Sequence, residues 1–328
     1  IEGMTIAAYA IGASKAYIYI RAEYPLAIDH LVEAIETAKK YGLLGENILG
    51  TGFNLEIMIK KGAGAFVCGE ETALIHSMEG HRGEPTIKPP FPAESGYRGK
   101  PTNVNNVETF ASIPVIILKG AEWYKRIGTE KAKGTKVFAL AGKINNVGLI
   151  EVPMGITLRE MIDIYGKGMK DGKKLKLVQT GGSSGSIVPA SLQDTPMDFE
   201  SFHAAGASLG SGALLVCNED TCVVDLAKVI MHFFRFESCG KCTPCRIGTQ
   251  RAYEIIERIS LGQAVLDDLN VLQTLCKNMS EVSNCGLGQT ASTAILDILK
   301  HFRQEVEDHI VSHVCAAGVC PISEMVQV

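Results

Sequence analysis

Apolar residues recur along the chain with two periods, and the switches between them mark its organisation. Tyr17-Ile18-Tyr19-Ile20 is a compact aromatic and β-branched run that reads as a strand. From Leu26 to Tyr41 the residues Leu26, Ile28, Leu31, Ile35 and Ala38 return at three- to four-residue steps. That spacing predicts an amphipathic helix, which Gly42 stops. Leu55–Ile59 is a second strand candidate, followed by Gly62-Ala63-Gly64-Ala65-Phe66. Strand, helix, strand implies a layered α/β domain. The rhythm then breaks at Glu84–Lys100, where Pro85, Pro89, Pro90 and Pro92 predict a long loop.

A second unit is expected from about Gly134. Val137–Gly142 reads as a strand, Asn145-Asn146-Val147-Gly148 as a turn and Leu149–Val152 as the returning strand. Thr157 and Glu160 form a capping box that opens a helix over Leu158–Tyr165, ended by Gly166. Lys174–Gln179 is a third strand. Hairpin, helix and strand in so short a stretch predict a small α+β unit of the β-grasp kind. From about Cys222 the period is helical. Val223, Leu226, Ile230, Phe233 and Phe234 mark one helix, and Tyr253, Ile256 and Ile259 a second. Leu266, Leu269, Leu272, Leu275 and Met279 follow a third, and Ala294–Val306 is a fourth. Four amphipathic helices with short connections predict a bundle. There are no internal repeats and no low-complexity tract.

Composition narrows the function classes. A chain of 328 residues with 46% hydrophobic and 21% charged residues is a globular protein of two or three domains. Its net charge of −4 argues against nucleic-acid binding, and its longest apolar run, Phe110–Leu118, is too short to insert into a membrane. Of ten cysteines, one stands at 68 and nine between 217 and 320. Such clustering points to metal or redox chemistry in a reducing, cytoplasmic setting. The chain opens Ile1-Glu2-Gly3-Met4, without a signal-peptide pattern, and is expected to be part of a longer polypeptide.

The strongest motif is Ser238-Cys239-Gly240-Lys241-Cys242-Thr243-Pro244-Cys245-Arg246. Zinc ribbons use two separated pairs of thiolates. Three thiolates from one loop fit three corners of a 4Fe–4S cubane better. Cys285, in Asn284-Cys285-Gly286, is the candidate fourth ligand, with Cys276 as its competitor. Cys276 falls on the apolar face of its helix, where a buried structural thiol is the ordinary reading. Arg246, Lys241 and Lys277 could offset the charge of the centre or be ordinary surface cations. Cys315 and Cys320, with His309 and His313 upstream, form a candidate second metal loop for zinc or a further iron–sulfur cluster. Cys217 and Cys222 are expected to be structural.

Gly62–Thr72 fails the dinucleotide fingerprint, because Val67 stands where glycine is required. By charge alone Glu70 and Glu71 could be no more than helix caps. In combination, however, Gly62–Leu74, Lys88-Pro89-Pro90-Phe91-Pro92, Pro101–Thr109 and the Cys239–Cys245 run with Cys285 resemble one family. It is the flavoprotein subunit of NADH dehydrogenases, the 51-kDa-type subunit of respiratory complex I, with relatives in NAD(P)-linked hydrogenases and formate dehydrogenases.

The resemblance, over about residues 1–310, implies three domains. These are an FMN/NAD(P)-binding α/β domain at 1–130, a β-grasp domain of the soluble-ligand-binding (SLBB) kind at 131–218, and a helical 4Fe–4S bundle at 219–312. Residues 313–328 would begin a metal-binding or ferredoxin-like extension. Gly69, Glu70, Glu71, Asn105, Asn106 and Thr109 match positions that hold or shape the FMN site. Phe66, Glu71, Lys88 and Phe91 match positions near the NAD(H) or NADP(H). The family's first glycine-rich flavin loop would lie upstream of Ile1. The C-terminal Cys-Ala-Ala-Gly-Val-Cys favours an NAD(P)-linked hydrogenase complex, a group that includes electron-bifurcating members. The alternatives are a complex I or formate dehydrogenase diaphorase subunit, an electron relay without competent flavin, and a zinc-stabilised binding module. Implied partners are a thioredoxin-like 2Fe–2S subunit and a catalytic hydrogenase or formate dehydrogenase subunit.

Overall fold

A computed structural model describes residues 1–322, so the end of the expected extension, 323–328, lies outside the described residues. The chain divides into two compact units, Ile1–Tyr124 and Lys125–Val328. The first contains α1 (Glu2–Ile11), β1 (Lys15–Arg21), α2 (Pro25–Lys40), β2 (Gly45–Ile48), β3 (Phe53–Gly62), α3 (Glu71–Met78) and α4 (Val107–Lys119), and α5 (Ala121–Lys125) follows. β1 pairs in parallel with β3, β2 pairs antiparallel on its other side, and the order is β1-β3-β2. Period two in β3 turns Leu55 and Ile57 into a core shared with Ala8, Ile35, Leu44 and Ile48. Each such aliphatic side chain contributes about 1.5–3 kcal/mol on burial. In α2 the buried stripe narrows to Ile28 and Ile35, while Leu26, in the first turn, is 71% exposed. The apolar run Phe110–Leu118 forms the body of α4, with Pro114 inside it. Gly3 is required where α1 crosses α4, since a Cβ there would lie 1.9 Å from the Phe110 carbonyl oxygen.

The second unit opens with β4 (Thr135–Gly142), β5 (Gly148–Pro153), α6 (Leu158–Glu160), β6 (Leu175–Thr180), β7 (Ile187–Pro189), α7 (Phe199–Ala204) and β8 (Ala213–Asn218). These strands form one sheet in the order β5-β4-β8-β6-β7, with β8 parallel to β4 and antiparallel to β6. The Thr157–Glu160 capping box is present as expected, and the helix it opens widens into a π-turn at Met161–Tyr165. Two strands of this sheet exceed the sequence expectation. β7 is only three residues long, and β8 is a short apolar run in the sheet interior, where hydrophobic alternation is lost.

The helices are α8 (Val223–Glu237), α9 (Thr243–Ser260), α10 (Asp267–Val282), α11 (Gly286–Thr290), α12 (Thr293–His301) and α13 (Arg303–Glu307). Val223, Ile230 and Phe234 are buried on α8, Ile256 and Ile259 on α9, and Leu269, Leu272 and Met279 on α10. The helix expected over 294–306 is interrupted at Phe302, whose φ of −130° is not helical. Asp297 of α12 joins helices to sheet by accepting the Ile187 N–H at 2.9 Å. No helix among the described residues is long and apolar enough to cross a membrane.

Candidate functional site

The turn from α8 to α9 carries three of the predicted thiols. Cys239 and Cys242 lie in the turn itself, Cys242 flanks the start of α9, and Cys245 sits in its first turn. Gly240 has φ +79°, a left-handed conformation open to glycine, and Arg246 Nη1 fastens the loop by donating to its carbonyl at 2.6 Å. Cys285 caps α11. A Cβ on Gly288 would lie 2.9 Å from the Cys245 Cβ, so α11 is pressed against the start of α9. Burial pushes the Cys245 thiol up to about 11; the Ser238 hydroxyl opposes this, and charges at Cys242, Cys285 and Cys239 add to it. Burial also raises Cys285; the N–H groups of Gly288 and Leu287 pull the other way, and Cys239 and Cys242 raise it further. The four thiols therefore lie close enough to oppose one another's ionisation, which a positive centre among them would relieve. Cys276, the competing ligand, is fully buried in the α10 core, which pushes its thiol up to about 12.

Among the described residues a different set packs its ligand atoms within 4.8 Å of one another: Cys222, His309, Cys315 and Cys320. Cys222 Sγ is 3.7 Å from Cys320 Sγ and 3.3 Å from His309 Nε2. Bonds of about 2.3 Å to sulfur around a tetrahedral zinc place two sulfurs about 3.8 Å apart. That spacing suits one ion. His309 is fully buried, and its Nδ1 faces the Glu305 carbonyl at 2.7 Å, which leaves Nε2 as the donor atom on the cysteine side. Burial opposes charge on His309, yet the Cys222 sulfur and the Glu305 carbonyl hold its pKa at about 9. Hydrogen bonding from Cys320, opposed by burial and aided by His309, lowers Cys222 to about 3.

Two expectations change here. His313 does not join this set, because a π-turn at Asp308–Ser312 and a left-handed His313, φ 49°, carry it to an exposed position beside Gly262. Cys222, expected to be structural, takes its place. Its only sequence signal is chemical type, since it lies 87 residues from His309. Cys217 stays outside the group, its pKa raised by burial.

In the first unit Phe66–Gly69 forms a tight 3-10 turn, and Glu70 caps α3. The Glu70 carboxylate accepts the Thr72 and Ala73 N–H groups at 2.9 and 3.0 Å. Burial would raise its pKa, but these donors and Lys88 hold it below the usual carboxylate range. Lys88 donates to Glu71 and lies 3.3 Å from Glu70 Oε1, so the three form one ion cluster. Asn106 caps α4 by accepting the Glu108 N–H at 2.8 Å, Asn105 donates to Asn103, and Thr109 is exposed in the first turn of α4. Phe66 and Phe91 are 39% and 52% exposed. A Cβ on Gly69 would meet nothing within 4 Å, so bare backbone faces open space there. Open backbone, side-chain amides and exposed rings suit a planar, phosphorylated group such as FMN.

Comparison with known proteins follows these two regions. The model for the Nuo51 FMN-binding domain matches residues 1–115. That for the NADH-ubiquinone oxidoreductase-F iron-sulfur binding region matches residues 225–309. An F-type NADH-quinone oxidoreductase subunit of Rhizobium meliloti is 45% identical over 96% of this chain and 75% of its own length. The chain belongs to this NADH-quinone oxidoreductase flavoprotein family. Another relative, the NADP-reducing hydrogenase subunit HndC of Solidesulfovibrio fructosivorans, is 57% identical over 98% of the chain. A solved NAD+-reducing NiFe-hydrogenase, H2-reduced, superposes over 94% of the chain with TM-score 0.83 and 36% identity. The chain spans 65% of the length of the HndC relative and 51% of the solved hydrogenase chain. The two matched regions are the family's FMN-binding domain and its iron–sulfur binding region.

Proposed function

We propose that this chain exchanges electrons between NAD(P)H and a partner enzyme as the flavoprotein component of a multi-subunit hydrogenase-type complex. The observation that carries the reading is the coexistence of two sites in one chain: the open Gly69–Glu71 turn with its amides, and the four-thiol pocket. The 57% identity to HndC points to the hydrogenase setting. FMN, when bound, takes a hydride from the nicotinamide as an electron pair and can release single electrons to a cluster. Gly69, Asn105, Asn106 and Thr109 would hold it with backbone and amide groups. Glu70, kept anionic by its cap, orients Lys88, and Lys88 in turn holds Glu71 beside the nicotinamide site. Phe66 and Phe91 offer ring faces to the nucleotide. Cys239, Cys242, Cys245 and Cys285 would hold the cluster. The sheet of residues 131–218 is read as an SLBB-type β-grasp domain and 219–312 as the cluster bundle. The partners are a thioredoxin-like 2Fe–2S subunit and a hydrogenase subunit, in the cytoplasm.

Anaerobic titration of the full-length protein with NADH and NADPH, followed by flavin absorbance and EPR, tests this. Bleaching of one flavin with appearance of a reduced-cluster signal is expected. Iron without flavin, and no reduction by either nucleotide, would make the chain a relay only. The NADH-quinone oxidoreductase relatives favour a second setting, in a quinone-reducing complex. Hydrogen-dependent against quinone-dependent turnover of the purified complex separates the two.

We also infer that Cys222, His309, Cys315 and Cys320 bind one zinc ion. The 3.7 and 3.3 Å ligand separations support it, and they weigh against the start of a ferredoxin motif at Cys315. Metal analysis giving one zinc per chain beside the cluster iron is the expected result.

A further inference from the structure

We propose that Ser238 and Ser283 are hydroxyl donors to the sulfurs of the four-cysteine centre and set its reduction potential; this rests on the cluster reading above. Ser238 Oγ lies 3.2 Å from Cys245 Sγ. The Gly240 N–H donates to the same oxygen at 3.3 Å. An oxygen that already accepts from an amide directs its own hydrogen elsewhere, and the Cys245 sulfur is the acceptor within reach. The Gly240 N–H that holds this hydroxyl lies between Cys239 and Cys242, so the bond belongs to the same loop as the predicted ligands.

Ser283 approaches from the second segment of the site. It is 4% exposed, and its Oγ has no hydrogen-bond partner among the described residues. Buried hydroxyls are rarely left unsatisfied, and an orphan beside a cofactor pocket marks a group awaiting its acceptor. No cysteine sulfur takes that bond here, so the acceptor that fits is a sulfide of the bound centre, and the surroundings point the same way. The Cβ and Oγ of Ser283 both lie 2.6 Å from the point where a Gly288 Cβ would sit, and the Cys245 Cβ lies 2.9 Å from the same point. The hydroxyl and the Cys245 side chain thus converge across Gly288, whose missing side chain keeps the approach open. The Gly288 and Leu287 N–H groups act in the same sense on Cys285.

Neutral donors around thiolate-bound iron stabilise the reduced, more negative form, so they raise the potential without changing net charge. The donors would set how readily the centre accepts an electron, a different matter from whether it assembles.

The test is an EPR-monitored redox titration of the full-length protein, with iron and sulfide counted in each sample. Ser238→Ala and Ser283→Ala should each lower the midpoint by several-fold to about tenfold in the reduction equilibrium, tenfold being about 59 mV for one electron. Ser283→Thr, which keeps the hydroxyl, should hold the parental midpoint. Alanine variants with full iron content and an unchanged midpoint would overturn the inference. Should Ser283→Ala fail to take up iron, Ser238→Ala decides alone: a lowered midpoint supports the inference and a parental one overturns it. A parental protein lacking iron and sulfide would instead overturn the cluster assignment.

Discussion

Gly288→Ala tests whether the packing of α11 against α9 builds the four-cysteine pocket. The added Cβ would lie 2.6 Å from Ser283 Cβ and Oγ and 2.9 Å from Cys245 Cβ, whereas ordinary contact begins near 3.4 Å. It therefore falls short by about 0.8 Å on one side and about 0.5 Å on the other, and α11 lies between both, so it has no direction of escape. Relief requires a backbone shift of several tenths of an ångström at the segment that presents Cys285. Overpacking of this size costs about 1–3 kcal/mol. A cluster site is less tolerant than a core, because ligand misplacement weakens every bond to the metal. The control is two residues away: a Cβ on Gly286 would meet nothing within 4 Å. Iron and sulfide per chain, with the melting temperature of the full-length protein, are the measurements. Gly288→Ala should lose more than half of its cluster iron and melt several degrees lower, while Gly286→Ala stays close to the parent. Full cluster content and a parental melting temperature in Gly288→Ala would refute the packing argument, as would equal damage from both variants.

Three further expectations use other parts of the chain. Asp297→Ala leaves the buried Ile187 N–H without its acceptor and should destabilise the fold by about 1–3 kcal/mol in chemical denaturation. Asp297→Asn keeps an acceptor oxygen; because burial holds the Asp297 carboxyl above its usual range, the parent loses stability as pH rises from the unfolded to the folded value, and Asn should gain on it across that window. Glu70→Ala removes the α3 cap and should cost about 1 kcal/mol at neutral pH. Glu70 is held below the usual carboxylate range, so this difference is complete above the unfolded pKa and should shrink as pH falls through the folded one. Zinc content should drop in Cys222→Ala and His309→Ala and stay parental in Cys217→Ala and His313→Ala; the reverse pattern would reject the ligand set.

The elements legible in the sequence are those whose period survives in the fold. β3 alternates, and α8, α9 and α10 each bury a stripe at helical spacing, so their apolar residues announced them. β8 did not, because Ala213–Cys217 is apolar at every position, including the 36% exposed Leu215, so no polar alternation reveals its pitch. The C-terminal helix was overextended for a related reason: apolar residues continue through Phe302, and only its backbone angles show the break. Cys239, Cys242 and Cys245 were legible from spacing, since one loop supplies all three. Cys222 was not, because its neighbours in the candidate metal site come from nearly a hundred residues away, a distance no local motif spans.

Two thiol-rich groups in one unit raise a selectivity problem, and sulfur spacing answers it physically. At Cys222 and Cys320 the sulfurs are already at the separation a single tetrahedral ion imposes, and a buried imidazole fills a further corner. A cubane cannot enter a set of atoms drawn within 4.8 Å of one another without spreading the helix start, the π-turn and the C-terminal loop together. The group at Cys239, Cys242, Cys245 and Cys285 is built differently. It spans two loops, keeps glycine at the point where they meet, and sets the Ser238 hydroxyl beside Cys245 and the Gly288 and Leu287 N–H groups beside Cys285. On the proposed assignments, geometry fixed by the fold, more than thiolate affinity, sorts iron–sulfur centre from zinc. Exchanging the ligands between the two sites should fail for that reason even though every residue type is retained.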